Sequence, residues 1–176
     1  MDISNRPLAP APYEQLPPVP AFTVTSSELV EGEPIPEVFT GLGENISPSL
    51  AWSEVPEGTK SFVVNCFDPD APTPAGFWHW TVVNLPADTT ELATGAGAVG
   101  AELPGEAFQV RNDGSKPSYM GPYPPKGDRP HRYYFAVHAL DVEELPVGPD
   151  ASPTAVAFNT LFHTIGRAVL MGTFQH

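Results

Sequence analysis

Proline is the residue that a long helix or a central strand tolerates least, because it lacks an N–H to donate and its ring fixes φ. This chain carries 23 prolines and 15 glycines among 176 residues. Helical bundles are thereby excluded, and a turn-rich, mainly β chain is expected. Apolar residues make up 41% and charged residues 16%, a balance that argues against disorder. A chain of this length buries a core without disulfide or metal staples. Cys66 stands alone, so no intramolecular disulfide is available and a reducing compartment is permitted. No apolar run approaches the length of a membrane span, and no charged-then-apolar leader opens the chain. The expectation is a cytoplasmic protein without integral membrane association.

Eight basic residues against 21 acidic ones leave a net charge of −13, which opposes nucleic-acid binding. The basic residues are unevenly placed. Arg111, Lys116, Lys126, Arg129 and Arg132 fall within 22 positions that hold only Asp113 and Asp128 against them. That concentration reads either as an anion-attracting patch or as a solvated basic loop.

Along the chain, residues 1–20 form a proline-rich arm suited to extended backbone, and 21–176 read as one domain. Strand-like segments are 22–25, 61–67, 79–85 and 132–140, all rich in β-branched and aromatic residues. A Gly- and Pro-rich connection runs from about Pro86 to Pro130, and connections of that length usually serve function. One helix is expected near the C-terminus. Ser152 is its N-cap and Pro153 its first residue, and Phe158, Leu161, Phe162, Ile165 and Val169 form an apolar stripe that should pack on a sheet. Gly172 is placed to stop it.

Two segments depart from ordinary sandwich composition. Asp68-Pro69-Asp70-Ala71-Pro72 follows a strand directly, and in extended geometry its two carboxylates share one side. They are either a crowded pair, one of which is driven to bind a proton, or turn residues that cap backbone N–H groups. The second segment, Gly121 to Tyr133, runs into another strand and sets His131 and Tyr133 on one face. His79 opens the strand after the first segment, so both histidines sit at strand mouths. The five histidines show no metal-ligand spacing, and neither a Gly-x-Ser-x-Gly elbow nor a phosphate loop occurs. No metal and no cofactor is expected. Cys66 reads as core filler.

Three ordered motifs carry a resemblance: Asp-Pro-Asp-Ala-Pro at 68–72, Trp-His-Trp-Thr-Val-Val-Asn at 78–84, and Pro-Pro-Lys-Gly-x-x-x-His-Arg-Tyr at 124–133. Together with Ser-Pro-x-Leu-x-Trp at 47–52 and Ala-Val-Ala-Phe-Asn at 155–159, they resemble the phosphatidylethanolamine-binding protein family, in its bacterial, Raf-kinase-inhibitor-like branch. The resemblance covers roughly residues 21–175. It implies a Greek-key β-sandwich of antiparallel sheets with a few short helices and a C-terminal helix, and a pocket for phosphate-like anions. Asp68, Asp70, His79, His131 and Tyr133 would line that pocket, with one aspartate taking a proton from the ligand or holding the tautomer of His79. Pro72 and the loop of Gly121, Tyr123 and Pro124 would shape it. Two positions depart from the family pattern. Tyr123 stands where relatives carry a small residue and would narrow or lid the pocket, and Trp78 stands where animal members carry a second histidine.

The function expected is a non-enzymatic binding protein for a small anion, phosphate or a phosphorylated headgroup. Homodimerisation is a family-level expectation, and the proline-rich arm with the 104–130 loop suggests that the protein regulates a protein partner. The alternative is a hydrolase in which a carboxylate and His79 activate water on an ester or phosphoester.

Overall fold

The computed structural model describes residue 3 and residues 5–176; positions 1, 2 and 4 of the proline-rich arm lie outside the described residues. Among the described residues, eight strands and one α-helix follow in chain order: β1 (Thr23–Thr25), β2 (Leu50–Ser53), β3 (Ser61–Asp68), β4 (Phe77–Pro86), β5 (Glu91–Leu92), β6 (Phe108–Gln109), β7 (His131–Leu140), α1 (Pro153–His163) and β8 (Thr164–Phe174). Short 3-10 turns occupy Pro12–Gln15 and Glu37–Phe39.

The strands form two antiparallel sheets, β1-β2-β5 and β6-β4-β3-β7-β8. In the larger one, β7 returns after a long connection to lie beside β3, which gives the Greek-key order β7-β3-β4-β6. The main core fills the space between the sheets. Leu50, Trp52 and Leu92 of the small sheet meet Phe62, Val64, Trp80, Phe135 and Val137 of the large one. A second cluster of Val63, Val83, Leu140, Leu145 and Val156 sits on the outer face of the large sheet, under α1. With both faces covered, β3 reads as a continuous buried run rather than an alternation.

Ser152 caps α1 as its sequence requires, accepting from the Ala155 N–H at 3.1 Å, with Pro153 in the first turn. The remainder of the expected helix is different. It stops at His163, and Thr164–Phe174 is strand β8, paired with β7 from His131↔Phe174 to Leu140↔Thr164. The buried face of α1 is Pro153, Val156 and Thr160, whereas Phe158 and Phe162 are exposed. A three- and four-residue apolar spacing that runs across a helix–strand junction mimics one longer stripe. A ten-residue ladder outweighs the small propensity differences that favour continuing the helix.

The arm lies across the outer face of the large sheet. Arg129 donates to the carbonyls of Arg6 (2.6 Å) and Pro7 (2.9 Å), and Arg132 to that of Ala9 (2.6 Å). Farther along, the Tyr13 hydroxyl donates to Asn65 (2.5 Å), and the Arg167 N–H reaches the Pro20 carbonyl (3.0 Å). Prolines suit this path, since an extended segment held through its carbonyls needs few N–H groups.

Candidate functional site

The three central strands β4, β3 and β7 end together, and each delivers one polar side chain to that end: His79, Asp68 and His131. A β-bulge aims the first. Cys66 pairs with Trp80 and Phe67 with Trp78, which leaves His79 as the extra residue. His79 thus turns to the same side as Trp80, where its ring meets Tyr133 edge-on at 5.1 Å.

The loop after β3 holds itself. Asp68 Oδ1 accepts from the N–H groups of Asp70 (2.7 Å) and Ala71 (3.0 Å), the capping turn that such residues form. Its other oxygen lies 2.7 Å from His131 Nδ1. Asp70 faces elsewhere and is gripped by Arg132, whose Nε and Nη2 donate at 2.7 and 2.8 Å while its backbone N–H donates at 3.0 Å. Burial works against the Asp70 charge, but the guanidinium outweighs it and holds the carboxyl below its usual range. The two aspartates therefore do not crowd one another.

His131 lies between two carboxylates, with Nδ1 on Asp68 and Nε2 2.9 Å from Asp128. Carboxylates only accept, so both ring nitrogens carry protons. Burial opposes that charge, yet the bonds to Asp68 and Asp128 prevail and raise the pKa of His131. Asp128 is in turn held by Arg6 of the arm at 2.8 Å. That bond is the chief reason its carboxyl stays well below the ordinary carboxylate range. Arg6 also donates to the Asp70 carbonyl. Three carboxylates are thus matched by Arg6, Arg132 and His131.

His79 is different. Its Nδ1–H donates to the Met120 carbonyl at 2.6 Å, and the Met120 N–H returns a bond to the His79 carbonyl at 2.9 Å. Burial lowers its pKa despite that bond, so the ring is neutral with a lone pair on Nε2. Met120, not an aspartate, fixes the tautomer. Tyr133 contributes a hydroxyl that is buried and has no partner among the described residues. Burial and the nearby Asp68 push its pKa up, so it remains a donor.

These groups border a cavity of about 200 Å³, with Asp68, Pro72, His79, Tyr123, Pro124, His131 and Tyr133 on its wall, joined by Phe77 and Met120. Tyr123 is 55% exposed and stands at the rim, its ring 5.3 Å from that of His176. Asp70 and Gly121 do not line it. Gly121 packs instead against 39–40, where a Cβ would fall 2.4 Å from the Phe39 carbonyl. None of Arg111, Lys116, Lys126, Arg129 and Arg132 lines the cavity either; Arg129 and Arg132 hold the arm instead. Arg6, Asp128 and Met120 also belong to the site, and none of them is marked as such in the sequence. Asp128 occupies an unspecified position of the Pro-Pro-Lys-Gly-x-x-x-His motif, and a backbone carbonyl leaves no mark in sequence at all. Cys66 is fully buried and its thiol pKa is raised by burial, so no thiolate is presented.

A Greek-key sandwich with a small cavity at the mouth of its three central strands defines a narrow class. The chain belongs to the phosphatidylethanolamine-binding protein family, which it matches over residues 25–175. It is 50% identical over 155 residues to the UPF0098 protein YbhB of Escherichia coli, covering 85% of this chain and 98% of that one. The crystal structure of E. coli YbcL, described as a new member of the mammalian PEBP family, superposes with a TM-score of 0.85 at 45% identity and covers 88% of this chain and 98% of that one. A phosphatidylethanolamine-binding protein from Plasmodium vivax shares the fold alone, at TM-score 0.62 and 16% identity, over 94% of this chain and 90% of that one. No helix among the described residues is long and apolar enough to cross a membrane.

Proposed function

We propose that this chain is a binding protein, not an enzyme, and that the 200 Å³ cavity takes a small oxyanion of the phosphate class, free or as a headgroup. The observation that carries this reading is a pair of uncommitted groups on two residues that border the cavity: the buried Tyr133 hydroxyl, without a partner among the described residues, and the Nε2 lone pair of His79. A singly protonated phosphate offers both an oxygen to accept from Tyr133 and a P–OH to donate to Nε2. The balanced carboxylates and cations behind this wall keep the aspartates from repelling an anion. The hydrolase alternative draws less support, because the carboxylate expected to serve His79 is bonded to His131.

Histidine-selective NMR with inorganic phosphate tests the reading. Phosphate should move the Nε2 resonance of His79 from its lone-pair position, and His79→Ala should abolish saturable binding. If saturating phosphate leaves the His79 and Tyr133 signals unmoved, the assignment of the cavity is wrong.

A further inference from the structure

The outer face of the large sheet holds a second cavity, of about 310 Å³, between α1 and the arm. It lies across the sheet from the first, because Asn65 and Phe67 alternate with the inward-facing Cys66 and Asp68 along β3. Its walls are mostly apolar. Phe67 and Trp78, with ring centroids 4.4 Å apart, line one side, Leu161 and Ala157 of α1 another, and Leu16 of the arm a third. Phe158, 63% exposed, stands on its border. A volume near this size is at the lower end for small-molecule sites.

Among the described residues, one charged side chain lines this chamber. Arg167 is only 9% exposed, its Nε donates to His138 Nδ1 at 3.3 Å, and its guanidinium lies 5.2 Å over the Tyr13 ring. Arg6 and Arg132 each hold an aspartate; Arg167 pairs with no carboxylate among the described residues. His138 cannot share the charge, since burial and then the adjacent guanidinium lower its pKa to about 3. The chamber also borders Thr160, whose hydroxyl is buried without a partner among the described residues. Guanidinium has five N–H donors in a fork that matches a carboxylate, and an apolar chamber that buries such a fork with no counter-ion is short of one.

We propose that this second chamber binds a small apolar monocarboxylate, its carboxylate on Arg167 and its hydrocarbon between Phe67, Trp78 and α1. The walls recognise the chain by burial, and the fork recognises the head by paired, charge-assisted bonds. Phosphate gains nothing from apolar walls and belongs to the other cavity. Tyr13 and Leu16 close one side, so the chamber is complete only with the arm in place.

Isothermal titration calorimetry of the full chain with sodium octanoate tests this, with octanol and inorganic phosphate as comparisons. Octanoate should bind saturably at one site, and octanol, which lacks the charge, about tenfold or more weakly. Arg167→Gln should bring octanoate down to the octanol level. Ala157→Phe, which fills the chamber and keeps the arginine, should abolish binding of both, and saturating phosphate should leave octanoate affinity unchanged. Circular dichroism checks that the variants fold; if Arg167→Gln does not, Ala157→Phe and the octanoate–octanol comparison decide. Absence of octanoate binding to the unaltered chain, equal affinity for octanoate and octanol, retention of binding in Ala157→Phe, or displacement by phosphate would each overturn the proposal.

Discussion

Arg6 spans 122 positions of sequence to set its guanidinium 2.8 Å from the carboxylate of Asp128. Asp128 is the same carboxylate that fixes one nitrogen of His131, so an arm outside the sandwich completes the charge balance behind the first cavity. Arg6→Ala leaves a buried carboxylate one cation short. It should lower the unfolding free energy by about 1–3 kcal/mol, with Arg6→Lys recovering part of the loss. Urea denaturation with unchanged midpoints for both variants would contradict this.

The buried histidines set the acid response. His138 is neutral in the folded chain, with its pKa lowered to about 3, and ionises near 6.5 once unfolded, so the unfolded state binds more protons between those values. Stability should therefore fall with pH below about 6.5, by about 2 kcal/mol at pH 5 from His138 alone. His79, also lowered, acts in the same direction. His131 acts oppositely: its raised pKa gives stability that is complete below about 6.5 and is lost as pH rises through its folded value. Asp128 and Asp70 add a further loss only below about pH 4, where carboxylates of the unfolded chain take up protons. Thermal melts across pH 5–7 should show the slope, and His138→Gln should flatten it.

Tyr133 separates stability from binding. Its hydroxyl is buried without a partner among the described residues, and such a group costs about 1–3 kcal/mol. Tyr133→Phe should hold or raise the melting temperature while weakening phosphate about tenfold. A variant that loses stability and keeps full phosphate affinity would show that the hydroxyl serves packing instead.

Gly121 sets the position of the Met120 carbonyl from outside the cavity. An alanine there meets the Phe39 carbonyl at 2.4 Å and Thr40 Cα at 2.8 Å, both backbone atoms with no room to yield. Gly121→Ala should cost about 1–3 kcal/mol by overpacking. It should also shift the His79 Nδ1 resonance, as the Met120 oxygen moves off the ring. An unchanged His79 spectrum would detach this loop from the site.

The central strands were legible because Ser61–Phe67 and Arg132–Leu140 are rich in β-branched and aromatic residues. That the strands form a sandwich was legible only through the motifs shared with the family. The start of α1 was legible in the capping signals at Ser152 and Pro153. The end of α1 was not, because Ile165 and Val169 satisfy a helical spacing while belonging to a strand that only β7 stabilises. At the site, Asp68, His79, His131 and Tyr133 could be found by type and motif, but their pairing could not. Which carboxylate meets which histidine depends on strand register and on the bulge at 79, and Arg6 and Arg167 depend on where an arm without periodicity comes to rest.

That bulge has a genetic corollary. Deleting position 79 would leave Cys66 opposite Trp80 and Phe67 opposite Trp78 as they are now, in an uninterrupted ladder. The imidazole at the cavity therefore depends on one residue beyond what the β3–β4 ladder needs, and a β4 shortened by that residue would keep its pairing while leaving the cavity without that ring.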